Sequence, residues 1–154
     1  MRINFYEAIL SEDDRVMLVK EKGMNYDAKK LNSPREIVLM MRRLLHMEQK
    51  AEEYCYTIAL DSSCKVLGIF FISKGTVNSS LITSREIYMR ALLAGAVQII
   101  LCHNHPSGDV TPSEQDIRIT KQLKEAGELL CINFADHIII GGETYFSFKE
   151  ADMI

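Results

Sequence analysis

Three helix-start signals, alternating with short runs of β-branched and aromatic residues, make this chain an α/β protein: a sandwich with a mixed β-sheet between helices. Its 154 residues are 47% hydrophobic and 25% charged, enough apolar content to build a buried core and too much for a disordered segment. With 8 glycines and 3 prolines, no internal repeat and no low-complexity tract, collagen-like and linker character are excluded.

Residues 1–30 read as a strand-like N-terminal extension. Two short strands are expected there, over 5–10 and 15–20, broken by the acidic turn Ser11-Glu12-Asp13-Asp14. Residues 31–154 carry the main domain. Ser33-Pro34-Arg35-Glu36 combines capping-box spacing with proline at the first helical position, and Ile37, Met40, Met41, Leu44 and Leu45 continue as a helical apolar stripe. Residues 54–60 and 65–73 are strand-like and separated by hairpin punctuation, Asp61-Ser62-Ser63-Cys64. Thr83-Ser84-Arg85-Glu86 opens a second helix running to about Ala94, where Gly95 stops it.

The apolar run 96–102 suits a strand buried on both faces and delivers the chain into His103. Thr111-Pro112-Ser113-Glu114 is the third capping signal, again with proline at the first helical position. Ile117, Ile119, Leu123 and Ala126 follow before Gly127. Three strands are expected in the tail, over 129–134, 137–140 and 144–148, the last two flanking the Gly141-Gly142 turn. After the extension the element order is αββαβαβββ.

Charge and composition narrow the function classes. The net charge is −3 and the isoelectric point about 5.8, with both signs interspersed, so nothing attracts the whole chain to phosphate backbones or anionic lipid. No apolar run approaches the ~20 residues of a transmembrane helix. The N-terminus lacks a basic segment leading into a long apolar one, so a cytoplasmic setting is expected. Cys55, Cys64, Cys102 and Cys131 form no Cys-x-x-Cys pair, which argues against a zinc ribbon or a redox dithiol and for reduced thiols.

The chemistry concentrates in residues 102–116. Two histidines, His103 and His105, stand one residue apart at a strand end, where period-two geometry turns both to one side, while Pro106 and Gly108 reverse the chain. Asp116 lies eleven residues beyond His105, in the first turn or so of the next helix. Two imidazoles and a carboxylate suit zinc and leave its fourth position open, the arrangement of catalytic rather than structural sites. Cys102 alternates away from His103 and reads as a buried thiol. His137 reads as a residue that ties strand to loop, and His46, on the first helix, as surface.

His103-Asn104-His105, seven residues, then Ser113-Glu114-Gln115-Asp116 matches the His-x-His-x7-Ser-x-x-Asp signature, and the chain here resembles the JAMM (JAB/MPN) zinc metalloproteases. Ser84-Arg85-Glu86-Ile87, Ala91-Leu92, His103 to Thr111, Pro112-Ser113, Asp116-Ile117 and Asp136-His137-Ile138-Ile139-Ile140-Gly141 look closer still to the bacterial RadC family. The likeness covers roughly residues 33 to 150.

It implies a JAB/MPN-like α-ββ-α-β-α-βββ core, with Zn2+ as cofactor and His103, His105 and Asp116 as its ligands. It implies that Ser113 donates a hydrogen bond to a developing oxyanion. It also implies a glutamate at the start of the first strand after helix one that takes a proton from the water; Glu53 fits that place, with Glu52 beside it. Ser113 has a second reading, as the helix N-cap with Asp116 at the N3 position. If Thr111 caps instead, with Glu114 closing the box, Ser113 is free to face the metal.

The function this resemblance implies is a zinc-dependent hydrolase of peptidase or isopeptidase type, with a peptide or protein as substrate. Two alternatives stand beside it. One is a RadC-like protein associated with DNA repair or mobile elements, for which nucleic acid is reached only indirectly, through partners. Longer family members carry a helix-hairpin-helix segment, and the first 30 residues here are too few and too strand-like for one. The other is a non-catalytic interaction module, although all motif positions are present. Edge strands could pair across a homodimer.

Overall fold

A computed structural model describes residues 1–28, 31–75 and 82–154; the boundary expected at residue 30 lies outside them. The chain opens with β1 (Arg2–Leu10) and β2 (Val16–Asn25), an antiparallel hairpin. Both strands run longer than the expected 5–10 and 15–20. β1 does not stand apart from the rest, since Ile3 and Phe5 are buried in the core.

Local chemistry starts the first helix where the sequence puts it. Ser33 caps α1 (Pro34–Leu45), its hydroxyl accepting the Glu36 amide at 3.3 Å with proline in the first turn. Ile37, Val38, Met40, Met41, Leu44 and Leu45 are buried along one stripe. A short 3-10 turn, Met47–Gln49, leads to β3 (Tyr54–Leu60) and β4 (Val66–Lys74). Their connection is held by Asp61, whose Oδ1 accepts the Ser63 and Lys65 amides, as short polar side chains do in turns. Thr83 caps α2 (Ser84–Leu93) through the Glu86 amide.

β5 (Gln98–Asn104), α3 (Glu114–Leu130), β6 (Asn133–Gly141) and β7 (Thr144–Ser147) complete the chain. Among the described residues, seven strands form one sheet in the order β2-β1-β4-β3-β5-β6-β7. The β1/β4 and β5/β6 pairs are parallel and the others antiparallel, so the sheet is mixed. Alternate residues feed two cores. Ile58, Ile100, Cys102, Ile138 and Ile140 pack on the α1 side. Ala59, Ile99, Leu101 and Phe134 pack on the other, with Ile87 of α2 and Leu123 of α3. By that alternation His103 faces the α3 side and Asn104 the α1 side. No described helix is long and apolar enough to cross a membrane.

Four expectations are corrected. β5 begins at Gln98 rather than residue 96 and runs on to Asn104, so His103 lies inside the strand. Ser113, not Thr111, caps α3, and Pro112 lies outside the helix. The helix does not stop at Gly127 but continues to Leu130, ending on Cys131 at φ 56°, so residues 129–130 are helical rather than strand. The tail holds two strands instead of three, because the polar pair Asp136-His137 is satisfied inside one continuous strand, β6.

Gly127 is required by close approach rather than by termination. A Cβ there would stand 2.5 Å from both the Ile132 carbonyl oxygen and the Tyr88 hydroxyl. That hydroxyl donates to the Leu123 carbonyl at 2.6 Å, and burial raises the Tyr88 pKa to about 12. In an open helix Gly→Ala stabilises by about 1 kcal/mol. Here Gly127→Ala should instead lower stability, by about 1–3 kcal/mol in the manner of an overpacked core. Chemical denaturation reads the sign, and a more stable variant would contradict the packing described.

Candidate metal centre

β5 ends beside the start of α3, and the site forms at that junction. His103 is the sixth residue of β5 and Asp116 lies in the first turn of α3. His105 follows β5, its amide donating to the Ile140 carbonyl at 2.9 Å. The turn after it seats over β6, where a Cβ on Gly141 would be 2.6 Å from the Gly108 carbonyl oxygen. Glycine at 141 is what lets the loop lie that close.

Side-chain atoms of three residues converge. His103 Nε2 is 3.0 Å from His105 Nε2 and 3.2 Å from Asp116 Oδ1. His105 Nε2 is 3.6 Å from Asp116 Oδ2. Ligands held about 2.0–2.1 Å from a tetrahedral ion sit about 3.3–3.4 Å from one another, and the observed separations bracket that value. His105 Nδ1 is 2.7 Å from the Asp109 carbonyl oxygen, so in the neutral ring the proton sits on Nδ1 and Nε2 is left as a lone pair. The residues fit a divalent ion. His103 and Asp116 side chains are 2% exposed and His105 14%, so the site opens on the His105 side.

His137 also meets the cluster. His103, Asp116 and His137 offer ligand atoms within 4.8 Å of one another, but His137 Nε2 touches His103 Nδ1, at 2.9 Å, the ring nitrogen that does not face His105. The set His103, His105 and Asp116 therefore describes the convergent point better. His137 lies fully buried on β6, its ring stacked on Phe148 at 4.8 Å and 10°, deeper than a tie between strand and loop.

Ser113 closes a capping box with Asp116. Its hydroxyl donates to Asp116 Oδ2 at 2.6 Å and accepts the Asp116 amide at 3.2 Å, and its own amide donates to Oδ2 at 2.8 Å. The Thr111 hydroxyl is engaged elsewhere, donating to Asp109 Oδ1 at 2.7 Å. Of the two readings of Ser113, the structure has the N-cap.

Glu53 and Glu52 part company at the start of β3. The β3/β5 register runs as far as the Cys55–His103 pair, and Glu53 immediately precedes β3. The Glu53 carboxylate acts electrostatically on His105. Glu52 pairs with Lys74 at 2.6 Å. Asn104, between the histidines, pins this end of β3: its Oδ1 accepts the Tyr54 amide at 2.8 Å and its Nδ2 donates to the Glu52 carbonyl at 3.0 Å. Sequence reasoning missed that role, and it missed Thr120 on α3, whose hydroxyl lies 2.6 Å from His137 Nδ1. No local pattern marks either.

Burial alone would raise the Asp116 carboxyl, but its close contacts with His103 and His105, with Ser113 behind them, hold it well below the usual carboxylate range. The same bond to Asp116 raises His105. Burial, then the neighbouring His103 ring, pushes His137 well below the usual imidazole range. Burial raises the thiols of Cys55 and Cys102, so both are inert as thiolates.

Residues 31–153 match the family described as RadC-like JAB domain. The chain is 40% identical over 130 residues to a UPF0758 protein of Clostridium acetobutylicum, covering 84% of this chain and 56% of that one. It is 42% identical over 125 residues to a UPF0758 protein of Clostridium perfringens, covering 81% and 54%. A third, from Desulfitobacterium hafniense, is 41% identical over 125 residues, covering 80% and 54%. The chain thus spans about half the length of the curated relatives it matches.

A raised His105 pKa fixes a sign. In the metal-free protein its bond to Asp116 adds stability that is full below the unfolded histidine value of about 6.5 and is lost as pH rises through the higher folded value. Metal uptake must displace that proton, so metal affinity should climb with pH across the same window. Chelator competition at about pH 5.5 and about pH 8 measures it, and equal affinities would contradict the site.

Proposed function

This chain belongs to the RadC-like JAB domain family, and we propose that it is a zinc-dependent metallohydrolase of the peptidase or isopeptidase class, acting on a peptide or protein. The observation that carries this reading is the convergence of His103 Nε2, His105 Nε2 and the two oxygens of the Asp116 carboxylate, at separations of 3.0, 3.2 and 3.6 Å, with the Glu53 carboxylate near enough to act on His105. Those three residues would hold the ion, all from the protein side, leaving the exposed His105 side for substrate.

When bound, zinc supplies a water whose pKa falls to about 7 and a Lewis acid for the scissile carbonyl. Glu53 takes a proton from the attacking water and returns it to the departing amine, work for which a positioned carboxylate contributes about 10²–10⁴-fold. Ser113 has a hydroxyl to give. Its amide already donates to Asp116 Oδ2, so the hydroxyl can turn from Oδ2 to the developing oxyanion without leaving that oxygen bare. Asp116, buried, would offset part of the ion's charge, and the two imidazoles would complete its hold.

Two variants separate holding the ion from using it. Glu53→Gln should keep about one zinc per chain by elemental analysis yet lose about 10²–10⁴-fold in turnover of peptide or isopeptide substrates. His103→Ala should lose both zinc and turnover. Zinc loss in Glu53→Gln, or full turnover in either, would overturn the assignment.

A further inference from the structure

We propose that Thr120 and His137 are positioning residues that hold His103 in the one neutral tautomer able to bind a metal through Nε2. The inference rests on the metal-site reading above and concerns residues to which that reading gives no role.

Behind His103 runs a buried chain of polar groups. His103 Nδ1 is 2.9 Å from His137 Nε2, His137 Nδ1 is 2.6 Å from the Thr120 hydroxyl, and that hydroxyl is 2.6 Å from the Asp116 carbonyl oxygen. All four residues are at most 2% exposed, so water does not complete their bonds. The last group, a carbonyl, only accepts. The Thr120 hydroxyl has one proton; given to that carbonyl, it leaves the oxygen as an acceptor for His137 Nδ1–H. His137 Nε2 is then a lone pair and accepts His103 Nδ1–H. Nothing remains on His103 Nε2, the atom 3.2 Å from Asp116 Oδ1.

The alternative pattern has a different end. If His137 carried its proton on Nε2, it would donate to His103 Nδ1 and force the His103 proton onto Nε2, into the point where the three ligand atoms meet. With Thr120 accepting, the metal-binding pattern leaves no buried donor unpaired. The Phe148 ring against His137 keeps the imidazole in the plane the chain needs. The chain also ties the backbone of one ligand, Asp116, to the ring of another, His103, through β6, and thereby fixes the distance between α3 and β5 at the site. Second-layer partners of this kind are worth about 10–100-fold in metal affinity.

Thr120→Val keeps the shape and removes the acceptor, whereas Thr120→Ser restores it. Zinc affinity by chelator competition should fall about 10–100-fold in Thr120→Val and return toward wild type in Thr120→Ser, with both variants melting as folded proteins. Imidazole nitrogen NMR on the zinc-loaded wild type should find both His103 and His137 protonated at Nδ1. Equal zinc affinity in Thr120→Val, or His137 protonated at Nε2 in the loaded protein, overturns the relay and leaves the metallohydrolase reading standing. A wild type that takes up no zinc overturns both.

Discussion

The capping box between Ser113 and Asp116 is the contact on which the site depends. A helix must satisfy its first amides, and α3 does so by folding the Asp116 carboxylate back onto Ser113. The same fold-back turns that carboxylate toward the end of β5, where His103 and His105 stand. One local bond thus solves a helix-end problem and aims a ligand. It also explains why a carboxylate can be buried there at all: the Ser113 amide and the Ser113 hydroxyl both donate to it, and the two imidazoles stand against it, offsetting a desolvation cost that an unpaired charge would not survive.

The sheet supplies the rest of the alignment. β5 lies between antiparallel β3 and parallel β6, so His103 is held inside the sheet while His105, just beyond the strand, and Asp116, at the start of α3, meet it at a single point. Asn104 extends this logic beyond the backbone ladder. Its amide side chain bonds the start of β3 where the strand pairing gives out, which holds that segment against the end of β5. Buried polar groups cluster here, and most are bonded to one another rather than to water, which makes the region rigid and intolerant of partial removal.

Much of this was legible in the sequence where the signal was local. Ser33 and Thr83 cap the helices expected of them, since N-capping needs only a side chain and an amide three residues on. Period-two alternation put His103 and Cys102 on opposite faces of β5, as found. The reading lost its hold where partners are distant in the chain. Thr111 and Ser113 both offer a cap, and only Asp109, holding the Thr111 hydroxyl, decides between them. Gly127 resembles a helix stop until Tyr88 and the 132 carbonyl are packed on it. Asp136 interrupts an apolar run and suggests a break, but Ser147 and the Lys149 amide reach across from the end of the chain to satisfy it. His137 and Thr120 have no spacing that links them, because their contact is made by tertiary packing alone.

The central claim is that one divalent ion belongs at the point where His103 Nε2, His105 Nε2 and the Asp116 carboxylate meet. Crystals of the zinc-loaded protein, measured on either side of the zinc absorption edge, test it most directly. The account predicts a single anomalous peak about 2.0–2.2 Å from those three side chains, with His137 bonded to His103 rather than to the ion. A peak coordinated by His137 in place of His105, or no peak at that point from protein that has taken up zinc, would contradict it.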